Sequence, residues 1–292
     1  MEKIFALQDS VVLNLLGEAE KVNIADVKPI KIDNKDKEKI ENKYKPANEA
    51  YELYCRGLEI KIKNPKNALS YFKKAIDISP DYTKALGAAG EISGYELNSF
   101  TESLDYLGRA EKLLINRGED ATIEYAELML RSGIVYNAKR EQDKALEYYN
   151  KSKSIRDNLG LQKTYGYSAL MISIGIAYDT KGEHDKALEY YLKSQQIKDD
   201  MKLQNTVGYS ILMMDIGIVY YYKYQYDKAL EYYSKSQKIS DNLKLQNTAD
   251  YAALLMNIGI VYFHKNEQDK ALDYYNKSKS IRESLGLQNN YA

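Results

Sequence analysis

The chain has 292 residues, of which 44% are hydrophobic and 29% charged, so it is long and apolar enough to bury a continuous core. Lysine plus arginine (42) equals aspartate plus glutamate (42), which excludes a general basic field for nonspecific binding of nucleic acid or an anionic membrane. The only cysteine, Cys55, excludes an internal disulfide and a multi-cysteine zinc site. No apolar run approaches the roughly 18 residues of a membrane span. We therefore expect a cytoplasmic protein without nucleic-acid or membrane partners.

The first 46 residues carry no repeat. Residues 3–16 place apolar side chains at helical spacing and predict an amphipathic helix. Residues 22–32 alternate loosely, as a strand would, and residues 33–46 mix charges of both signs, as a solvated linker does. We expect a non-repeat segment over 1–46, followed by a helical region.

Helix breakers are confined to the start of the chain. All four prolines lie within the first 80 residues, the last of them at Pro80. The remaining part of the chain is free of the residue that most strongly interrupts helices. This distribution predicts a C-terminal region that is almost entirely helical.

A unit of 42 residues occurs four times in succession. The copies at 167–208 and 209–250 are identical at 26 of 42 positions, which is too many for a coincidence of composition. A stacked array of such units offers a long surface rather than a pocket, so the repeat favours recognition over catalysis. The four copies begin at Tyr125, Tyr167, Tyr209 and Tyr251.

A shorter unit, which lies before the four copies and includes Gly57 to Pro80, contains a known repeat pattern. Ala68, Phe72, Ala75 and Pro80 are spaced as small, aromatic, small and proline, and Gly57 lies in the helix before them. This spacing resembles the tetratricopeptide repeat (TPR). The long copies share a glycine and a tyrosine in the first helix, and an alanine, a tyrosine and a serine in the second. In the copy from Tyr167 these residues are Gly175, Tyr178, Ala187, Tyr191 and Ser194.

The resemblance implies an all-α, right-handed superhelical TPR solenoid over 47–292, in which each helical hairpin covers the apolar face of its neighbour. Most of the 29 tyrosines would then be packing residues, because they recur at fixed repeat positions. We expect six hairpins, near 47–82, 83–117, 124–160, 166–202, 208–244 and 250–288.

The N-terminal segment carries a second resemblance. Phe5–Asp9, the helix and strand pattern, and the stretch from Ala50 to Gly57 resemble the junction between a TolB-like domain and the TPR array of bacterial signalling proteins. In that case residues 1–46 would correspond to the end of an upstream TolB-like domain. No catalytic or DNA-binding residue can be carried over from it.

The sequence contains no set of residues with catalytic or metal-binding spacing. His184 and His264 stand at non-equivalent repeat positions, and no His/Asp/Glu set around them has metal-ligand spacing. The glycines of 87–94 lack the Lys-Ser/Thr of a phosphate loop and suit close helix packing instead. We therefore expect no enzymatic activity, no cofactor and no metal.

The repeats vary where a partner would bind. In arrays that resemble TPRs, the first helix of each hairpin lines the concave face, and here this helix varies more than the second. An apolar stripe with convergent polar groups suits an extended peptide or a helix. The alternative is that these residues pack against adjacent helices or drifted after duplication. The candidate groove residues are Ile172, Ile176, Asp179, Met214, Asp215, Ile218, Tyr221, Tyr222, Met256, Asn257, Ile260, Phe263 and His264.

Two of these features point to a partner more strongly than the others. Tyr221, Tyr222 and Phe263 would form an exposed aromatic cluster, which is unusual on a surface without a partner. The TPR resemblance also implies that Asn257 lies near the position where groove asparagines hold a peptide backbone.

The sequence therefore predicts a non-catalytic scaffold that binds a protein or peptide in the groove, with self-association through the last repeat. One alternative is a regulatory C-terminal segment of a larger bacterial adenylate cyclase or transcriptional regulator. Another is a TPR regulator that senses a peptide and changes its superhelical pitch.

Overall fold

The computed structural model describes residues 46–287, and this part of the chain is helical throughout, without a strand. The expected all-α TPR fold is confirmed. The predicted N-terminal helix, strand and linker lie outside the described residues, as does the part of the TolB-like junction before Pro46; its remaining stretch, Ala50 to Gly57, lies within the first described helix. The α-helices are α1 Asn48–Ile60, α2 Pro65–Ile78, α3 Thr83–Glu91, α4 Phe100–Asn116, α5 Ile123–Ala138, α6 Gln142–Asn158, α7 Tyr165–Thr180, α8 His184–Asp200, α9 Val207–Tyr222, α10 Tyr226–Asn242, α11 Ala249–His264 and α12 Gln268–Ser284.

The helices pair in sequence as antiparallel hairpins, and the chain divides into two compact units after Gln162. Unit 1 contains α1 to α6 and unit 2 contains α7 to α12. In the second hairpin a π-helical turn, Ile92–Glu96, continues α3 before α4 begins. Within unit 2 the hairpins are α7–α8, α9–α10 and α11–α12, and each begins within about one residue of the range expected from the repeat.

Each long repeat begins its first helix in the same way. The threonine before the helix has an extended backbone, and its hydroxyl accepts a hydrogen bond from the backbone N–H three residues later. Such an N-cap satisfies one of the free N–H groups at a helix start and contributes about 1 kcal/mol. The capping residues recur at the repeat spacing as Thr122, Thr164, Thr206 and Thr248.

The repeated glycine permits the two helices of a hairpin to touch. A Cβ placed on Gly175 of α7 would lie 2.5 Å from the ring of Tyr191 on α8, which is only 2% exposed. The serine one turn after this tyrosine lies on the same buried surface: Ser194 and Ser168 are hydrogen-bonded through their hydroxyls at 2.8 Å. Serine therefore replaces the usual small apolar residue because it has a polar partner on the first helix.

A further tyrosine of each long repeat stacks on the outside of this core. In α7–α8 the rings of Tyr178 and Tyr190 are stacked with centroids 5.6 Å apart, and Lys186 and Lys193 lie over them within 5.1 Å. Each lysine is also paired with a glutamate of α8 or of the turn before it. The repeated tyrosines are thus packing residues, as their periodicity predicts.

Candidate functional site

The first helices of unit 2, α7, α9 and α11, each carry a row of incompletely buried residues at helical spacing. On α9 the row consists of Ile211, Asp215, Ile218 and Tyr222, with Tyr222 53% exposed. The four residues are three or four positions apart and so lie on one face of the helix. We call the surface formed by these three rows the A-helix face. Its other members are Ala169, Ser173, Ile176 and Thr180 on α7, and Ala253, Asn257, Ile260 and His264 on α11.

A second set of predicted groove residues serves mainly to join one hairpin to the next. Ile172 of α7 packs against the buried cluster formed by α8 and α9. Met214, Ile218 and Tyr221 of α9 pack against the buried cluster of α10 and α11. Packing between hairpins, the alternative considered for the apolar stripe, therefore accounts for much of their burial. Ile176 is more open than these residues, at 38% exposure.

An aromatic cluster occupies the C-terminal end of the A-helix face and the turn after α9. Tyr221 lies against Tyr222, with ring centroids 5.3 Å apart, and against Tyr226, at 6.0 Å. Tyr226 also contacts Tyr224, which is 80% exposed. From α11 the exposed ring of Phe263 lies edge-on to His264, whose ring contacts Tyr221 and Tyr226. The structure therefore brings the predicted Tyr221, Tyr222 and Phe263 into one region, but it leaves only Tyr222 and Phe263 exposed.

Both histidines of the chain join this cluster. The ring of His184 is stacked on Tyr222 at 5.1 Å, and its Nδ1–H donates to Asp179 Oδ1 at 2.8 Å. His264 Nε2 lies 3.0 Å from the Tyr221 hydroxyl, and its ring stacks on Tyr226 at 5.9 Å. Residues far apart in the sequence are thus linked across three consecutive hairpins. Asp179 takes part through His184 rather than as a free groove carboxylate.

Tyr224 has a backbone conformation that tyrosine rarely adopts. Its φ angle is +58°, in the left-handed region, where the equivalent residue of the preceding repeat is Gly182. A non-glycine residue in this region costs about 1–2 kcal/mol. The side chain gains little burial in return, because it is 80% exposed. An open cavity of about 350 Å³ lies beside it and Tyr226.

Asp215 is the carboxylate at the centre of the A-helix face. The side chain is half-buried, and among residues 46–287 no hydrogen-bond donor or cation is paired with it. Burial raises the pKa of Asp215 to about 7, and the nearby carboxylates of Asp179 and Asp250 add to the rise. The hydroxyl groups of Tyr191 and Tyr233 are near enough for Asp215 to raise their pKa values as well, after the larger effect of burial.

The charges of the three first helices are all of one sign. α7, α9 and α11 contain Asp179, Asp215 and Asp250 but neither lysine nor arginine. A lysine follows directly at the end of each helix, and all three are already paired: Lys181 with Glu183, Lys223 with Asp185 and Lys265 with Asp227. The A-helix face is therefore acidic although the whole chain has no net charge.

Several residues of this site were not among the groove residues predicted from the sequence. Ile211, His184, Tyr224 and Tyr226 were absent from the candidates, although all four lie on the A-helix face or in the aromatic cluster. A signal was available for the tyrosines: the repeat before them has Gly182 and a histidine at these positions, so they depart from the periodic pattern. Met256, Asn257 and Ile260 of α11 are half-buried.

Two features of other functional classes, a metal site and a membrane span, are absent from the described part of the chain. Within 46–287 no three His, Cys, Asp or Glu side chains are grouped so that they could hold a metal ion. No described helix is both long and apolar enough to cross a membrane.

Comparison with known proteins identifies the repeat. The sequence profile of the tetratricopeptide repeat matches residues 124–200 and 209–284, and a second profile of the same repeat matches residues 57–82. No curated protein matches the sequence significantly.

Solved structures share the fold at low sequence identity. BtubC (BKLC) from P. vanneervenii is 16% identical with a TM-score of 0.64, over 80% of this chain and 94% of that one. A chain of the Cut9–Hcn1 hetero-tetramer of the APC/C is 16% identical with a TM-score of 0.62, and the match covers 84% of this chain but only 42% of that one. A Rap protein complexed with Competence and Sporulation Factor is 17% identical with a TM-score of 0.60, over 87% and 80%. The matched profile covers more than half of the sequence, and the chain belongs to the tetratricopeptide-repeat family.

Proposed function

We propose that this protein is a non-catalytic interaction scaffold and that the A-helix face of unit 2 binds a peptide or a segment of a protein partner. The observation that carries the proposal is the aromatic cluster. Tyr222, Tyr224 and Phe263 are each more than half exposed, although none is at a position where the repeat requires an aromatic residue. Exposed aromatic rings of this kind are typical anchors of protein interfaces.

The surroundings of the cluster support the same function. Ile176 and Ile211 provide apolar surface along the face, and Asn257 and Ser173 provide hydrogen-bonding groups. A mainly apolar surface with a few polar groups can bind an extended segment or one face of a helix. The family itself is consistent with a protein partner, and nothing in the proposal requires chemistry at the site.

The experiment is a selection of peptides from a phage-displayed random library on the full chain. The selected peptides are then titrated against the wild type and against the double variant Tyr222→Thr, Phe263→Asn. Both substitutions introduce residues that other repeats carry at these positions, at Thr180 and Asn137. Tyr95→Ser is the matched control, since Tyr95 is 55% exposed but lies in unit 1.

We expect the double variant to bind at least about 30-fold more weakly, because anchor residues of interfaces contribute about 2 kcal/mol or more. The control should bind as the wild type does. Equal affinity of the double variant, or failure to select any peptide, would count against the A-helix face as a peptide site.

A second candidate function is peptide sensing, in which binding alters the arrangement of the repeats and thereby regulates an output. The structural similarity to a Rap protein complexed with Competence and Sporulation Factor motivates this candidate. A related role is that of a regulatory segment of a larger bacterial signalling protein. Small-angle scattering of the full chain with and without a selected peptide tests it, because a sensor must change its dimensions on binding whereas a rigid scaffold need not.

A further inference from the structure

We propose that the partner of the A-helix face presents a lysine or arginine side chain, which binds Asp215 with its stem against the exposed aromatic rings. The proposal rests on the function proposed above and specifies the chemistry of the partner. Four observations support it. The Asp215 carboxylate has no partner within the described chain, and other buried charges of the chain form ion pairs. The A-helix face is acidic, and exposed aromatic rings lie on the same face as Asp215.

The fold does not require a carboxylate at position 215. The equivalent residues of the neighbouring repeats are Ser173 and Asn257, which are neutral and occupy the same row of the A-helix face. Asp215 is half-buried and, within the described chain, accepts no hydrogen bond and forms no ion pair. A carboxylate that is removed from water without a partner lowers stability. Its presence is explained if a partner supplies the missing cation.

Elsewhere the same chain pairs its buried charges. Arg131 occupies the equivalent repeat position in unit 1 and forms an ion pair with Glu91, which also binds Lys61 at 2.6 Å. Arg156, only 2% exposed, is paired with Glu127. Asp215 differs from these groups in that its partner is absent from the chain's own described residues.

The negative charge of the A-helix face favours a partner with basic residues. The three first helices contribute aspartates and neither lysine nor arginine, and the lysines at their ends are paired with Glu183, Asp185 and Asp227. A basic segment would therefore meet a complementary field on approach, whereas an acidic one would be repelled. A bound metal ion is a poorer alternative, because no group of three suitable ligands surrounds Asp215 in residues 46–287.

The aromatic rings are placed to hold the stem of such a side chain. Tyr222 follows Asp215 by seven positions, two helical turns on the same face of α9. Tyr222 in turn packs edge-on against Tyr221, with ring centroids 5.3 Å apart, so the carboxylate and the rings border one region of the face. A guanidinium or ammonium group there can face the carboxylate and still lie over an aromatic ring.

The test is a double-mutant cycle with a synthetic peptide. The probe is the tightest-binding peptide selected on the wild-type full chain that contains arginine, together with the same peptide in which arginine is replaced by citrulline, its neutral isostere. Each is titrated against the wild type, Asp215→Asn and the control Asp77→Asn, whose side chain is exposed on α2 in unit 1. Asn257 shows that asparagine is compatible with the repeat position of Asp215.

We expect the replacement by citrulline to weaken binding to the wild type and to Asp77→Asn at least 10-fold. The same replacement should change binding to Asp215→Asn less than 2-fold. An undiminished effect of citrulline in Asp215→Asn would place the arginine elsewhere and overturn the inference. So would a selection that yields tightly bound peptides without lysine or arginine, although the proposed function would then stand. If no peptide binds the wild type, the proposed function fails, and the inference fails with it.

Discussion

The rings of His184 and Tyr222 are parallel to within 2° and their centroids lie 5.1 Å apart, although the residues belong to different hairpins and neither is part of the repeat pattern. Their contact fixes the position of an exposed tyrosine through a histidine that is itself held by Asp179. Several residues that break the repeat pattern are thus gathered into one surface region, namely His184, Tyr221, Tyr222 and Tyr226, whereas the periodic residues build the helical scaffold below it.

The backbone of Tyr224 provides a direct test of whether stability is sacrificed at this surface. Tyr224→Gly should increase the free energy of unfolding by about 1 kcal/mol, because glycine adopts a positive φ without steric cost. Chemical denaturation in urea measures the change. Tyr224→Ala is the control: alanine retains a Cβ and should gain little. Equal stabilisation by both substitutions would show that the side chain, and not the backbone, is responsible.

At Gly175 the two helices of the hairpin approach closely, so a substitution there should lower stability rather than raise it. Gly175→Ala should destabilise the protein by about 1–3 kcal/mol, since the added methyl group would overlap the buried ring of Tyr191. Gly108→Ala is the matched control, because Gly108 also lies within a helix but has open space around the Cβ position. There the better helix propensity of alanine should stabilise by up to about 1 kcal/mol. Thermal or urea unfolding of both variants decides the point, and a neutral Gly175→Ala would argue against the tight contact.

Stability should depend on pH through Asp215. Its pKa is raised to about 7 in the folded protein from an ordinary value of 3.8, so the folded state holds a proton that the unfolded state releases between these values. Stability from this group is therefore present below about pH 4 and is lost as the pH rises towards 7. Each pKa unit corresponds to about 1.4 kcal/mol, and we expect Asp215→Asn to be roughly 1–3 kcal/mol more stable than the wild type at pH 8.

The measurement is urea denaturation of the wild type and of Asp215→Asn at pH 4, 6 and 8. The difference between the two proteins should grow with pH. A constant difference would mean that Asp215 has an ordinary pKa and that the carboxylate is well solvated. Asp77→Asn should follow the wild type, because that aspartate is exposed and lies in unit 1.

Much of this architecture could be predicted from the sequence because it is periodic. Gly175, Tyr191 and Ser194 recur every 42 residues, and a recurring residue reports a contact that every hairpin makes. The site is less predictable because its contacts join residues that do not recur. His184 could not be assigned to Tyr222 from spacing alone, since the pairing depends on how one hairpin packs on the next. The burial of Tyr221 by the following hairpin has the same origin.

The last hairpin offers a surface for self-association. Leu272 of α12 is 59% exposed, whereas Leu188 and Leu230 at the same repeat position are half-buried. We expect the full chain to associate through this surface at high concentration and Leu272→Glu to weaken the association. Sedimentation velocity over a range of concentrations measures this. Identical behaviour of the wild type and the variant would exclude Leu272 from the contact.

The central claim is that the partner lies on the first helices of unit 2. Photo-crosslinking tests it most directly: a peptide selected on the full chain is synthesised with a benzophenone group at successive positions, crosslinked to the wild type, and the attachment sites are read by mass spectrometry. We predict crosslinks to α7, α9 and α11, concentrated around Tyr222 and Phe263, and their loss when unmodified peptide is added in excess. Competed crosslinks confined to α8, α10 and α12, or to unit 1, would contradict the account.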